Sequence, residues 1–254
     1  MRKNNLILVS RAQDERLCAG MGMRVAHLCY ALGTRSLLRT RDAPDFIGGL
    51  LGITDEAPLD LKETDVRSLS VQIKAECERV RAEGVLLDFE SFQGRRLLPQ
   101  LCTELRFQKV MIYAAGEEAR GVREATALLR PGAESDFREF VRSGFAACAG
   151  GAALELTPMQ MGMCLSDGRK AFAPLKDGEL EMLFRRYGPS VYYSKDRCAK
   201  YFTVAREDGQ SWFIVYDDAA TLLSKLATAE EEGVATAFAT APEIAPYLRD
   251  MLAE

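Results

Sequence analysis

Residues 82–92 read "AEGVLLDFESF", and this stretch determines which fold the sequence predicts. An apolar run begins after Gly84 and ends in two acids, Asp88 and Glu90. A short continuous apolar run of this kind is typical of a parallel strand that is covered by helices. Because side chains alternate between the two faces of a strand, Leu86, Asp88 and Glu90 share one face. Two acids therefore leave the end of a buried strand on the same side.

Helices and strands alternate on both sides of this stretch. The pattern predicts amphipathic helices over 68–84 and 94–107, the first ended by Gly84, and a strand over 109–115. Further strands are predicted over 5–10, 45–58 (followed by a loop), 125–132 (a short strand or turn) and 152–165, the last stopping at Pro158. Further helices are predicted over 14–33, 135–150 (with Ser135 as a candidate cap), 176–188 and 218–233 (capped by Asp218).

The late part of the chain predicts a hairpin and a last strand. Residues 199–218 hold two aromatic and β-branched runs around Asp208-Gly209, and the final strand is "VATAFATAP". About eight strand candidates in 254 residues favour a closed α/β barrel. We therefore predict one domain over 1–254, a single (β/α)8 TIM-type barrel with a late β-hairpin insertion. An open doubly wound sheet is the alternative, but its usual G-x-G-x-x-G does not follow the first strand.

Composition excludes several classes of partner. The formal net charge is −4 and the pI is about 5.4, which argues against nucleic acid and anionic membrane surfaces. No apolar run reaches the roughly 18 residues of a membrane-spanning helix. The N-terminal apolar run is about four residues long, below the seven or so of a signal peptide, so we expect a cytoplasmic protein.

Cysteine and histidine usage also limits which catalytic mechanisms and metal sites the sequence can support. The seven cysteines form no C-x-x-C pair, and most lie in apolar context, which favours buried reduced thiols over metal binding or catalysis. His27 is the only histidine, so any mechanism that needs two histidines is excluded. Its place inside the helical pattern predicted over 14–33 favours a core histidine with a satisfied partner.

The paired acids have a catalytic and a structural interpretation. In a barrel, Glu90 would stand at the C-terminal rim, where barrel enzymes keep their active sites. A neighbouring carboxylate and partial burial favour the protonated form of an acid, which can then donate a proton to a leaving oxygen. The second acid, Asp88, could orient a substrate group or stabilise a developing cation. The alternative is an ordinary solvated strand end.

The stretch "EGVLLDFES" resembles the signature strand of family 18 glycoside hydrolases, the chitinase-like barrels. Their D-x-x-D-x-D-x-E strand ends in the catalytic glutamate, and in the spore-cortex branch it often reads D-G-V-N-I-D-F-E. This chain matches that pattern at five positions, which are Gly84, Val85, Asp88, Phe89 and Glu90. The run from "CAKYFTVAREDGQ" to "GVATAFA" is similar to the late hairpin, helix and final strand of that branch. Together the matches cover about the last two-thirds of the chain.

The resemblance implies a glycoside hydrolase that acts on N-acetylglucosamine-containing glycan, either chitin-like or peptidoglycan. Glu90 would be the general acid/base, and Asp88 would hold the 2-acetamido group in a substrate-assisted reaction. No metal or organic cofactor is implied. Four further residues are candidates for substrate binding, each with simple packing or a solvated rim as the alternative. They are Tyr113, Glu155, Gln160 and Phe238.

The chain also departs from the family pattern. Glu83 replaces the first acid, Leu86 replaces the middle polar residue, and no M-x-Y-D-like run is present. The only tryptophan, Trp212, falls in the hairpin rather than in the last strand. These departures motivate a second hypothesis, an inactive barrel that binds glycan or a protein partner. A third is a barrel enzyme whose two acids hold Mg²⁺. A spore-coat or mother-cell protein would reconcile a cytoplasmic location with a cell-wall substrate.

Overall fold

The structure is a computed structural model that describes residues 5–40, 43, 45–133, 136–165, 171–205 and 209–253. Its strands are β1 (Leu6–Arg11), β2 (Arg24–Leu32), β3 (Leu37–Arg39), β4 (Leu50–Thr54), β5 (Gly84–Asp88), β6 (Met111–Ala114), β7 (Thr126–Leu129), β8 (Ala152–Glu155), β9 (Gln160–Cys164), β10 (Ala173–Pro174), β11 (Tyr192–Ser194), β12 (Ala199–Ala205), β13 (Ser211–Tyr216) and β14 (Ala237–Thr240). Its α-helices are α1 (Glu15–Cys18), α2 (Val66–Val80), α3 (Phe92–Phe107), α4 (Phe137–Ala147), α5 (Glu179–Tyr187), α6 (Ala219–Glu231) and α7 (Ala241–Ala253). Among the described residues, no helix is both long enough and apolar enough to cross a membrane.

Eight parallel strands close into a barrel. Their order is β1-β14-β8-β7-β6-β5-β4-β2, and a parallel pairing between β1 and β2 completes the ring. The predicted (β/α)8-type barrel is therefore confirmed. Because every strand in a parallel barrel runs the same way, the C-terminal ends of all eight meet at one rim.

Strand β5 shows how the sequence divides between the two faces of the barrel wall. Leu86 belongs to the interior apolar cluster, together with Tyr113 and Phe238. Val85 and Leu87 belong to the cluster under the helices, with side chains of α2 and α3. The alternation that was predicted for residues 82–92 is therefore present.

The helix that we predicted over 14–33 is wrong. Only Glu15–Cys18 is helical, and Arg24–Leu32 is the second barrel strand. A strand buried on both faces carries apolar residues at every position, so a helical spacing can be read from it by chance. Gly20 and Gly22 lie between the two elements with φ of 85° and 60°, where a helix cannot continue.

His27 therefore lies on a strand, although it is buried and paired as expected. Its ring stacks on Phe46 with the ring centroids 3.9 Å apart. Its Nδ1 lies 2.7 Å from Oε1 of Glu15. These contacts cover the outer face of β2, where the described residues include no helix between β2 and β4.

The insertion between β8 and α6 is larger than the predicted hairpin. It is a five-stranded antiparallel sheet in the order β10-β9-β13-β12-β11, with α5 packed on one face. The predicted hairpin is present as β12 and β13, although residues 206–208 of its turn lie outside the described residues. The strand predicted to open at residue 152 and stop at Pro158 is confirmed as β8, which ends at Glu155. The rest of the stretch 152–165 contains β9 of the inserted sheet, which begins at Gln160.

Aspartate side chains cap the N-termini of α4 and α6. Asp218 caps α6 in a capping box with Thr221, as its position predicted. The cap of α4 is Asp136, whose carboxylate accepts a hydrogen bond from the N–H of Glu139. Ser135, the candidate cap, lies outside the described residues. The terminal helix α7 was not predicted.

A buried ion pair joins the insertion to the barrel. Lys225 Nζ of α6 lies 2.5 Å from Oδ2 of Asp217, and the two side chains are 5% and 0% exposed. The same carboxylate accepts hydrogen bonds from the N–H of Met159 and the hydroxyl of Thr221. Asp217 also donates its own N–H to the Met159 carbonyl at 2.8 Å. One aspartate therefore holds together the two ends of the inserted segment.

We predict that Lys225→Met lowers the free energy of unfolding by about 3–5 kcal/mol, because it leaves the Asp217 carboxylate buried without its cation. Urea unfolding followed by circular dichroism measures this loss. Lys200→Met is the matched control, because it removes the cation that pairs with the half-exposed Asp218. That change should cost at most about 1 kcal/mol. Equal losses of stability in the two variants would contradict the stabilising role of the buried Asp217–Lys225 pair.

Candidate active site

A cavity of about 220 Å³ opens at the C-terminal mouth of the barrel. Its floor is apolar and includes Leu86 and Phe238. Its polar lining consists of Arg11, Asp88, Glu90, Arg130, Glu155 and Thr240. Above it, a wider groove of about 480 Å³ shares the two acids of β5 and adds Arg95, Glu117 and Glu118. The predicted acids therefore lie at the mouth, within one continuous polar site.

Strand β5 positions these two acids. The parallel register pairs Thr54 of β4 with Asp88, the last residue of β5, so Asp88 lies at the rim. Glu90 follows two residues later and is exposed to the groove. Neither side chain forms a hydrogen bond or ion pair with the described residues, although both line the cavity. Both carboxylates are therefore free to contact a ligand.

Burial raises the pKa of the Asp88 carboxyl above its ordinary value, and the negative charges of Glu90 and Glu155 raise it further. The positive charges of Arg130 and Arg11 act in the opposite direction. The neutral form of Asp88 is thereby favoured, and the two arginines offset this effect only in part.

Arg130 and Glu155 form an ion pair across the ends of β7 and β8. The guanidinium donates to Glu155 Oε1 from Nε at 2.8 Å and from Nη2 at 2.5 Å. The Arg130 side chain is 75% exposed, whereas that of Glu155 is 19% exposed. Glu155 therefore reaches the mouth as predicted, but its carboxylate is already engaged.

Sequence reasoning missed four residues at this rim. Each one ends a barrel strand or follows it directly, and they are Arg11, Asp55, Arg130 and Thr240. The rule that parallel strands carry functional residues at their C-terminal ends could have identified them.

Two predicted binding residues do not reach the mouth. Tyr113 pairs in register with Leu86, one layer below Asp88, and lies inside the barrel with its ring 4.9 Å from that of Phe238. Gln160 lies in β9 of the insertion, where Nε2 donates to the Tyr247 hydroxyl at 3.3 Å. It lines a separate cavity of about 710 Å³, because the chain turns away from the barrel before β9.

Aromatic surface is scarce at the mouth. Phe238 forms part of the floor of the cavity but is 0% exposed, and Phe89, which borders the groove, is also buried. Trp212 lies in β13 of the insertion, as expected. In the described part of the lining, no exposed aromatic ring is available to stack on a sugar.

The seven cysteines are free, and six of them are buried. Burial raises the pKa of the Cys29 and Cys77 thiols to about 11, which disfavours the reactive thiolate. Within the described ranges, no cluster of three or more His, Cys, Asp or Glu side chains could hold a metal ion.

No protein-family model matches the sequence, and no curated protein matches it. Solved structures do. The spore cortex-lytic enzyme SleL of Bacillus cereus is 12% identical, with a TM-score of 0.65 over 98% of this chain and 74% of that one. A glycoside hydrolase family 18 N-acetylglucosaminidase of Paenibacillus barengoltzii is 11% identical, with a TM-score of 0.62 over 98% and 99% of the two chains.

A class V chitinase of Nicotiana tobaccum is also similar. A mutant of it, crystallised in complex with NAG4, is 13% identical, with a TM-score of 0.57 over 93% of each chain. At these identities the comparisons show the fold. The chain has the TIM-type barrel of family 18 chitinases and spore cortex-lytic enzymes, as the resemblance of "EGVLLDFES" implied.

The raised pKa of Asp88 predicts a pH-dependent effect of Asp88→Asn on stability. A carboxyl whose pKa rises on folding favours the folded state while it is protonated, and that contribution is lost as the pH rises through the folded pKa. The variant should therefore be more stable than the wild type at neutral pH. The difference should disappear below about pH 3.9, the ordinary pKa of aspartate. Thermal unfolding across this pH range measures the effect.

The control is Asp250→Asn, which removes an exposed carboxylate from α7 and should change stability little at any pH. Glu155→Gln supplies an independent check, since it removes a negative charge near Asp88 and releases Arg130. The pKa of Asp88, followed by carboxyl carbon NMR, should then fall. A rise would contradict the electrostatic assignment.

Proposed function

We propose that this protein is a glycoside hydrolase of the family 18 type that acts on N-acetylglucosamine-containing glycan. The observation that carries the proposal is the placement of Asp88 and Glu90. Both leave β5 at the mouth of a family 18-type barrel and line its cavity without a partner among the described residues. Unpaired acids at the rim of a barrel are suited to proton transfer.

In the proposed reaction, Glu90 donates a proton to the glycosidic oxygen as its bond to the anomeric carbon breaks. The carbonyl oxygen of the 2-acetamido group forms the new bond to that carbon, while the acetamido N–H keeps its proton and donates a hydrogen bond to Asp88. Glu90, now a carboxylate, then takes a proton from the water that opens the cyclic intermediate. Its original protonation state is restored, and the products are two sugars with hydroxyl ends.

The surroundings of Asp88 support its part in this scheme. Burial and the neighbouring acids favour its neutral form, whereas Arg130 and Arg11 favour the ionised form. During turnover, the positive charge that develops on the acetamido group also favours the ionised form of Asp88. The Asp88 carboxyl can therefore accept a hydrogen bond from the acetamido N–H, and this bond strengthens as that group becomes positive.

The comparisons support the choice of test ligand. The tobacco chitinase has been crystallised with NAG4, and the Paenibacillus relative is an N-acetylglucosaminidase. We therefore propose a β-linked N-acetylglucosamine oligomer as the substrate class, with chitin-like glycan and peptidoglycan as the two candidates. The similarity to SleL supports the proposal of a spore-associated protein. We also propose a cytoplasmic location.

A second candidate, a barrel that binds glycan without cleaving it, is favoured by three features of the mouth. Leu86 lies below Asp88 and offers it no hydrogen bond. Glu155 is engaged by Arg130 rather than free. The described lining offers no exposed aromatic ring for a sugar.

We predict that Glu90→Gln lowers the rate of cleavage of a chromogenic chitobioside by about 10²- to 10⁴-fold, because it removes the proton donor. Binding of the N-acetylglucosamine tetramer, measured by calorimetry, should persist because the glutamine keeps the shape of the site. The matched control is Glu83→Gln. Glu83 precedes the same strand at the opposite end of the barrel, where it pairs with Arg24.

The outcomes separate the two candidates. Turnover that is lost in Glu90→Gln and retained in Glu83→Gln supports the hydrolase. Turnover that survives in Glu90→Gln removes Glu90 from the reaction. Tetramer binding without cleavage by the wild-type protein supports the inactive barrel.

A further inference from the structure

Asp55 lies beside the proposed general acid although it does not line the mouth cavity. It follows β4 directly, and the register of β4 with β5 pairs Thr54 with Asp88. The residue after Thr54 is therefore adjacent to the segment that follows Asp88, which includes Glu90. The side chain of Asp55 is directed into the protein, and the residue is only 7% exposed.

The Asp55 carboxylate binds the backbone of Glu90 and of the next residue. Oδ1 accepts a hydrogen bond from the Glu90 N–H at 2.9 Å, and Oδ2 accepts one from the Ser91 N–H at 2.8 Å. No lysine or arginine pairs with Asp55 within the described ranges. Two main-chain N–H groups therefore satisfy this nearly buried carboxylate. Only a side chain with two acceptor oxygens can accept both hydrogen bonds.

Helix α3 is shaped to accept this carboxylate. A Cβ atom on Gly94, in the first turn, would lie 2.1 Å from Asp55 Oδ2. Glycine is therefore needed there for the carboxylate to fit. The capping of α3 itself is provided by Ser91, whose hydroxyl accepts the Gly94 N–H at 3.0 Å. Asp55 is thus additional to the helix cap.

A third contact completes the restraint on the Glu90 backbone. Arg95 Nη2 donates a hydrogen bond to the Glu90 carbonyl at 2.8 Å. Both the N–H and the carbonyl of Glu90 are then held, whereas its side chain has no hydrogen-bond partner among the described residues. The direction in which the Glu90 carboxyl leaves the chain is consequently set by its backbone.

We infer that Asp55 is a positioning residue that fixes the Glu90 carboxyl toward the scissile bond, acting through the main chain and Gly94. This inference rests on the proposed hydrolase function. Asp55 touches no substrate atom in this role. Its two acceptor oxygens bind the backbone that follows β5 to the end of β4. Because β4 is part of the rigid barrel wall, this contact fixes the orientation of Glu90.

The test is Asp55→Asn in the full-length protein, assayed on a chromogenic chitobioside. The amide keeps the size of the carboxylate but turns one acceptor into a donor that faces an N–H, so the Glu90 backbone should shift. We expect kcat to fall by about 10- to 100-fold, the size of effect that a misplacement near 1 Å produces. We expect KM and tetramer affinity to change by less than about threefold, as for a group that acts in the transition state.

Gly94→Ala should reproduce this defect, because its added methyl group displaces the same carboxylate. Two matched controls separate positioning from a general loss of stability. Asp65→Asn changes the carboxylate that caps α2, and Gly121→Ala adds a methyl group where no atom lies within 4 Å. Both should keep kcat at the wild-type value. All variants are compared well below their unfolding temperatures.

Each outcome has a distinct meaning. A fall in kcat for Asp55→Asn and Gly94→Ala, with KM and both controls unchanged, supports the inference. If Asp55→Asn turns over substrate as fast as the wild-type protein, the role of Asp55 is overturned and the proposed hydrolase function is unaffected. Equal losses in Asp55→Asn and Asp65→Asn also overturn it, since they indicate destabilisation alone. A wild-type protein that binds the tetramer but does not cleave it refutes the proposed function, and this role with it.

Discussion

The parallel pairing of β1 with β2 is the constraint on which the rest of the structure depends. It closes the ring of eight strands, so no barrel strand is left as an unpaired edge of that ring. Closure also brings residues from positions 9 to 240 of the chain around one cavity of about 220 Å³. Below that cavity the interior is filled by apolar side chains such as Leu86, Tyr113 and Phe238. The charged side chains that line the cavity are therefore confined to its rim.

The rim itself is organised by ion pairs. Arg11 at the end of β1 pairs with Glu56, which follows β4, and Arg130 pairs with Glu155 across the ends of β7 and β8. These pairs engage the arginines with acids other than those of β5. Asp88 and Glu90 consequently differ from these acids in having no ion-pair partner among the described residues. Their lack of a partner depends on the neighbouring arginines being paired elsewhere as much as on the two acids themselves.

The sequence could predict the central part of the fold because local signals agreed there. Around β5, a short continuous apolar run with amphipathic helices on both sides indicated one parallel unit. The helix stop predicted at Gly84 is wrong, because α2 ends at Val80 with Arg81 in the left-handed region and Gly84 is the first residue of β5. The apolar residues of β2 happen to recur at a helical spacing, so the local pattern favoured a helix where the structure has a strand. At the site, paired acids were visible in one strand. The partnership of Arg130 with Glu155, and of Asp55 with the Glu90 backbone, joins separate strands, and only the folded register reveals it.

The contact between Met159 and Asp217 has a consequence for how such a protein can diversify. A backbone hydrogen bond of 2.8 Å brings the two ends of a segment of more than fifty residues together at its base. A segment whose ends already meet can be shortened, lengthened or exchanged for a tight turn without altering the path of the chain on either side. The barrel and its mouth would be retained through such changes. The inserted sheet is therefore the part of the molecule in which descendants of this chain can change size and surface most freely.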